Sequence, residues 1–232
     1  MSMRAMILAA GRGERLRPLT DHTPKPLVAV QGRPVIVYTL LRLARLGITD
    51  IVINACHLAE KLMAHLEDGS RWGVQITWSR EESCLDTGGG VVNALHHMGE
   101  EPFLVVNGDI LWNVALPPML ATFDRQRMDG LLGMVPPPPT GSGGDFLCDV
   151  TSGQLQRAAG DPKALTYAGI LVVTPAALTG YPAAPFSLNR FFDDALRTGR
   201  LRGFSLQGHW ADMGTPERLA ETEKMAWITD GL

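Results

Sequence analysis

Three short apolar runs, at 3–9, 51–53 and 103–106, and an alternating stretch at 74–78 recur in the first half of the chain with helix-length segments between most of them. That alternation constrains the fold more than any other feature. An unbroken apolar run suits a strand covered on both faces, as in a parallel sheet flanked by helices. The intervening segments show helical spacing. Residues 34–46 open on Pro34, place Val35, Tyr38 and Leu46 near one face, and stop at Gly47. Leu58, Leu62 and Leu66 follow at i, i+4 and i+8, and Thr87 is read as the cap of a helix running to about residue 98. Strand and helix in turn predict a doubly wound, mostly parallel α/β sheet with right-handed crossovers. Ligands of such sheets bind beyond the carboxyl ends of the strands. Gly11-Arg12-Gly13 and Asn107-Gly108-Asp109 each follow a predicted strand, so both are expected on one rim.

The second half is less regular. PPPPTGSGG at 136–144 cannot pack as helix or central strand and reads as an exposed loop, a candidate to close over a substrate. Beyond it the pattern predicts a strand over 167–173, a helix over 188–198, a strand over 201–206 and a helix over 215–227. The last opens on Thr215-Pro216-Glu217: cap, N1 proline, early acid. All 232 residues are read as one domain.

Net charge is -3, so no general basic field points to nucleic acid or to an anionic membrane. Basic residues at 12, 15, 17 and 25 are then a local device. No apolar run reaches the roughly 18 residues of a membrane span. Cys56, Cys84 and Cys148 are odd in number and widely spaced, and read as free thiols in a reducing compartment. A soluble cytoplasmic protein is expected, as a monomer or small homo-oligomer.

Candidate chemistry lies in three stretches. At Ala10-Gly11-Arg12-Gly13, glycines let backbone N–H groups approach an anion closely, while Arg15 offers a planar fork and Lys25 a compact charge for a polyphosphate. The plainer reading is a solvated surface loop. Asp109 ends a buried strand beside a glycine, well placed for Mg2+ and its bound phosphate; its plainer role is a turn residue. Asp212, in Trp210-Ala211-Asp212-Met213-Gly214-Thr215, precedes a helix, where a carboxylate caps as readily as it binds metal.

Taken together, 8–20 (LAAGRGERLRPLT), Pro24-Lys25-Pro26-Leu27, Leu85-Asp86-Thr87-Gly88-Gly89, Asn107-Gly108-Asp109 and 210–215 resemble the ordered motifs of the sugar-1-phosphate nucleotidyltransferase family. The resemblance covers nearly the whole chain and implies a Rossmann-like nucleotidyltransferase fold, a three-layer sandwich. It implies a nucleotide-binding half over about 1–110 and a sugar-binding half over 111–232. Ala10, Gly11, Gly13, Arg15, Leu85, Thr87 and Gly88 would bind the nucleotide. Arg15 and Lys25 would be catalytic, at the departing pyrophosphate and the α-phosphate. Asp109 and Asp212 would hold Mg2+. Within the family, Asp86-Thr87-Gly88-Gly89-Gly90, Gly144-Asp145-Phe146 and Thr166-Tyr167-Ala168-Gly169-Ile170 are similar to the short branch of N-acetylmuramate 1-phosphate uridylyltransferases, which serve peptidoglycan recycling. That implies UTP and N-acetylmuramate 1-phosphate as substrates. Asn107, Gly144, Asp145, Gly169 and Arg190 would then meet the sugar, with Arg157 a further candidate for its lactyl carboxylate. The chain departs from the family at Cys84, where proline is common, and at Lys163, which stands in Asp161-Pro162-Lys163 rather than in a Glu-Lys-Pro motif. Two rivals stand beside this reading: a mannose- or glucose-1-phosphate nucleotidyltransferase using GTP or dTTP, and a non-catalytic nucleotide- or sugar-sensing subunit.

Overall fold

The computed structural model describes residues 3–139 and 143–232. From β1 (Ala5–Leu8) the chain passes through 3-10 turns and a two-residue hairpin, β2 (Ala29–Val30) and β3 (Arg33–Pro34), into α1 (Val35–Arg45). β4 (Asp50–Ala55), α2 (Ala59–Leu66), β5 (Gln75–Arg80), α3 (Asp86–Met98) and β6 (Phe103–Asn107) follow. The second half holds β7 (Ile110–Val114), α4 (Leu116–Thr122), β8 (Gly130–Val135), β9 (Phe146–Cys148), β10 (Leu155–Arg157) and β11 (Thr166–Val173). It ends with α5 (Leu188–Arg197), β12 (Leu201–Ser205), β13 (Gly208–Asp212) and α6 (Pro216–Thr222).

Seven strands form the main sheet in the order β12-β8-β11-β6-β1-β4-β5. β1 lies parallel between β4 and β6, and within this sheet β11 alone runs against its neighbours. The mostly parallel α/β expectation therefore holds. Side chains alternate across β1: Ala5 and Ile7 join a core with α1 and α2 residues such as Leu40, Leu43 and Leu62. Met6 joins the opposite core with Val91 and Ala94 of α3 and Phe191 and Phe192 of α5. Helices thus cover both faces, giving three layers. Each fully buried aliphatic side chain contributes about 1.5–3 kcal/mol relative to exposure.

Several local expectations differ. β8 carries no clear strand signal because two of its residues are glycine, and both sit in closely packed surroundings. A Cβ on Gly130 would stand 3.0 Å from Leu201 Cδ1, and one on Gly133 would stand 2.6 Å from Leu206 Cδ1. The helix expected over 215–227 ends at Thr222 and resumes as a 3-10 turn, Ala226–Thr229. Gln31 intervenes there: its N–H donates to Glu223 Oε2 at 2.9 Å and its Nε2 to the Met225 carbonyl at 2.9 Å. Thr87 lies inside α3 rather than capping it. Residues 140–142 of the proline-rich loop lie outside the described residues.

The cysteine expectation is overturned for one pair. Cys56 and Cys84 form a disulfide with Cα atoms 5.5 Å apart, and Cys148 is free. β4 and β5 are parallel neighbours, with Ala55 opposite Arg80, so the segments leaving them run side by side. A strand-to-strand neighbourhood, invisible in a separation of 28 residues, brings the two sulfurs together.

Candidate active site

The rim predicted from the strand ends exists. β1, β4 and β6 stop side by side, and the loops leaving them surround a cavity of about 380 Å³. Ala10, Gly11, Gly13, Lys25, Thr87, Asn107 and Asp109 line it, with Arg12, Asn54 and Cys84. Gly13 has φ 64°, and a Cβ there would stand 2.9 Å from Thr20 Cγ2 and 3.1 Å from Lys25 Cβ. The buried Thr20 hydroxyl donates to the Gly13 carbonyl at 2.8 Å and locks the turn. Gly11 faces open space. Lys25 reaches across from the Pro24-Lys25-Pro26 segment to an ion pair with Asp109 Oδ2; their side chains are 12% and 29% exposed. A buried-end lysine held by a partly open carboxylate is a charge ready to be exchanged for phosphate oxygens.

α3 starts with strain: Asp86 takes φ 60°, and its Oδ1 accepts from the Thr87 N–H at 2.5 Å. Backbone conformations of this kind persist where surroundings over-determine them, commonly at ligand sites. Here the surroundings are the segment 184–187, which lies across the helix start. Gly88 and Gly89 donate to the Phe186 carbonyl at 2.8 and 3.2 Å, and the Leu188 N–H donates to Thr87 Oγ1 at 2.9 Å. A Cβ on Gly88 would meet the Phe186 ring at 2.3 Å. Gly88 and the buried Leu85 therefore pack beneath this strap and do not line the cavity.

Asn54, which lines the first cavity, and its partner Glu81 belong to no motif. Asn54 Oδ1 accepts from the Ala9 N–H at 2.7 Å, and its Nδ2 donates to Glu81 Oε1 at 2.7 Å. Glu81 Oε2 accepts from the Leu85 N–H at 2.9 Å. Asn54 and Glu81 are 2% and 5% exposed. A polar residue in an otherwise apolar strand run is the signal that could have flagged Asn54.

A second cavity of about 240 Å³ shares Asp86, Thr87 and Asn107 with the first and adds Asp145, Tyr167, Ser187, Asn189 and an aromatic wall of Phe146 and Phe192. Asp145 Oδ2 accepts from the Tyr167 N–H at 2.9 Å. The Tyr167 phenol oxygen is buried without a partner among the described residues, and burial raises its pKa, so it stays a neutral donor. Gly169 has φ 72°, and a Cβ would stand 2.7 Å from Asn107 Nδ2, so this glycine seats Asn107 from behind. Gly144 packs against the backbone of Ala164. Arg190 lies over the Tyr181 and Phe186 rings, away from both cavities. Arg157 stacks on Phe146 at 4.5 Å and donates to Asn189 Oδ1 at 3.0 Å, against the wall of the second cavity. Lys163 is exposed and lines neither.

Asp212 pairs with Ile110 across the β7–β13 ladder, one residue from Asp109. Its carboxylate is engaged: both oxygens hold Arg218 Nη1, at 2.8 and 2.6 Å, and Oδ1 also accepts from the Gly214 N–H at 2.9 Å. It lines a third cavity, of about 260 Å³, with Arg218 and the prolines at 136–139. A Cβ on Gly214 would stand 2.9 Å from Arg15 Nη2, so Arg15 reaches toward this side of the rim. Among the described residues no group of three or more His, Cys, Asp or Glu could hold a metal. The donor set that remains is two carboxylates one ladder step apart, which fits a hard cation that keeps water and phosphate oxygens as its other ligands.

A loop of exposed N–H groups, a paired lysine and a strand-end carboxylate in one cavity agree with what comparison with known proteins finds. Residues 4–142 match the family model described as Nucleotidyl transferase. The chain belongs to the nucleotidyl transferase family. It is 39% identical to an N-acetylmuramate alpha-1-phosphate uridylyltransferase of Neisseria meningitidis, over 97% of this chain and 98% of that protein. It is 33% identical to the protein of the same name from Caulobacter vibrioides, over 96% of each. Among solved structures, HddC from Yersinia pseudotuberculosis, complexed with GMP-PN, superposes with a TM-score of 0.80 at 22% identity, covering 95% of this chain and 98% of that one; this likeness speaks to the fold. The chain is a nucleotidyltransferase with a mostly parallel Rossmann-like sheet. No helix of the described residues is long and apolar enough to cross a membrane.

Proposed function

We propose that this nucleotidyltransferase moves UMP from UTP to a sugar 1-phosphate, with N-acetylmuramate 1-phosphate as the acceptor, in the cytoplasm, where peptidoglycan fragments are recycled. The observation that carries the reaction type is the convergence of Gly11, Gly13, Lys25, Thr87 and Asp109 on one cavity. The full-length similarity to the two uridylyltransferases supports the substrates. In this reading the first half of the chain binds the nucleotide and the second half forms most of the sugar site, across the shared residues Asp86, Thr87 and Asn107.

An oxygen of the sugar phosphate attacks the α-phosphorus in line, the bond to the β-phosphate oxygen breaks, and pyrophosphate leaves. Such transfers rest on positioning and charge stabilisation, and the attacking phosphate is already ionised, so no protein base is needed. Backbone N–H groups from Ala10 to Gly13 cradle the triphosphate. Lys25 gives up Asp109 for the α-phosphate and the incoming phosphate, and Arg15 swings to the departing pyrophosphate. Enzymes of this family generally use a divalent metal. Here Asp109, and Asp212 on release from Arg218, would hold Mg2+, which supplies charge neutralisation between the phosphates.

The test is a matrix of four nucleoside triphosphates against N-acetylmuramate, N-acetylglucosamine, mannose and glucose 1-phosphates, scored by pyrophosphate release. UTP with N-acetylmuramate 1-phosphate should lead. Preference for GTP with mannose 1-phosphate would overturn the substrate assignment, and no release from any pair would overturn the reaction.

A further inference from the structure

We propose that Asn54 and Glu81 are a buried positioning pair that sets the two walls of the nucleotide cavity against each other and so controls nucleotide affinity; this rests on the nucleotide reading of that cavity. Three hydrogen bonds run in series. The Ala9 N–H, at the exit of β1 where the phosphate loop begins, donates to Asn54 Oδ1 at 2.7 Å. Asn54 Nδ2 donates to Glu81 Oε1 at 2.7 Å, and Glu81 Oε2 accepts from the Leu85 N–H at 2.9 Å, immediately before the left-handed Asp86. Ala9, Asn54, Asp86 and Thr87 all line the cavity, so the chain of bonds joins one wall to the other.

The carboxylate is informative. Glu81 is 5% exposed and makes no ion pair among the described residues, and a buried polar side chain of this kind is costly unless its hydrogen bonds are made. Both Glu81 oxygens accept, one from Asn54 Nδ2 and one from the Leu85 N–H. Facing an acceptor, the Asn54 amide turns its nitrogen toward Glu81 and its oxygen toward Ala9. The space is closed as well: a Cβ on Gly90 would stand 2.6 Å from Asn54 Nδ2 and 2.8 Å from Glu81 Oε1. The same loop is tied to the end of β4 by the Glu81 N–H to the Ala55 carbonyl, at 2.9 Å, and by the Cys56–Cys84 disulfide.

The experiment exchanges the polarity of the pair. Glu81→Gln alone sets an N–H₂ group against the Asn54 amide or the Leu85 N–H, so donor faces donor. Asn54→Asp with Glu81→Gln restores every bond, with the carboxylate now at the other position. UTP binding by calorimetry and the KM values of both substrates are measured for the wild type, both single variants and the pair. Glu81→Gln should weaken UTP binding roughly tenfold, with the acceptor KM moving by about twofold or less. The double variant should recover most of that loss. Unchanged UTP affinity in Glu81→Gln, or a double variant no better than the single ones, overturns the proposal. A merely structural tie would instead lower Tm and shift both KM values together. Should Glu81→Gln fail to fold, the double variant decides alone: it must fold and bind. If the wild type binds a different nucleoside triphosphate, the assignment of UTP falls while the same variants test the pair on the nucleotide that binds; if it binds none, both readings fall.

Discussion

The two cavities share three residues and are otherwise built on opposite plans. The first is held by polar ties: the Lys25–Asp109 ion pair and the Asn54–Glu81 relay join different segments, and the Thr20–Gly13 bond closes the phosphate loop on itself. The second is walled largely by packing, with Phe192 edge-on to Phe146 and Tyr167 at ring separations of 6.4 and 5.3 Å. Phe146 and Tyr167 reach it from β9, a strand of three residues, and from β11. On the proposed reading the first cavity takes a triphosphate, whose charges call for fixed donors at fixed places. The second would take the sugar, and a wall of contacts can be reshaped without disturbing the reacting phosphorus.

Damage to the first cavity should act on nucleotide binding and turnover, and damage to the second on acceptor binding. Asp109→Asn should show the largest effect, cutting pyrophosphate release by roughly 10²–10³, equivalent to about 3–4 kcal/mol of transition-state stabilisation. An unchanged rate would leave Asp109 only as the anchor of Lys25. Next, Asp212→Asn should raise the Mg2+ needed for half-maximal rate by about 10-fold or more. A variant that melts earlier with the same Mg2+ dependence would assign Asp212 to holding Arg218 alone. Gly169→Ala forces an alanine into left-handed geometry at roughly 1–2 kcal/mol and presses on Asn107. It should raise the acceptor KM by about 3–10-fold and the UTP KM by less, since Asn107 lines both cavities; equal shifts in both would erase the division between the cavities. The smallest effect is expected at the arginines: Arg157→Ala should raise the acceptor KM about threefold and Arg190→Ala by less than about twofold, as a stacked surface residue. The reverse order would move the lactyl contact to Arg190.

Legibility in the sequence follows the same division. The parallel half was readable because buried strands and amphipathic helices leave periodic traces, and β1, α1, β4, α2 and β6 all fall near their expected positions. Asn107-Gly108-Asp109 and the Gly11–Gly13 turn were readable because strand ends fix where a loop must be. β8 was not, since Gly130 and Gly133 are chosen for the bulk of Leu201 and Leu206, residues some 70 positions away. Cys56–Cys84 and Asn54–Glu81 depend on which strands become neighbours, and local spacing carries no record of that. The close packing of Gly88 and Gly89 against the strap at 184–187 is equally absent from local spacing.

Asp86, Thr87 and Asn107 belong to both cavities, and that common wall bears on how the enzyme works as a two-substrate machine. A ligand that settles these residues in one site changes what the other site offers, so the substrates should bind with thermodynamic coupling rather than independently. Coupling of binding is reciprocal. Whatever factor the donor lends to the acceptor's affinity, the acceptor returns to the donor, and a nucleotide product still seated in its cavity would hold the sugar end in place, making departure of the joined product a concerted event.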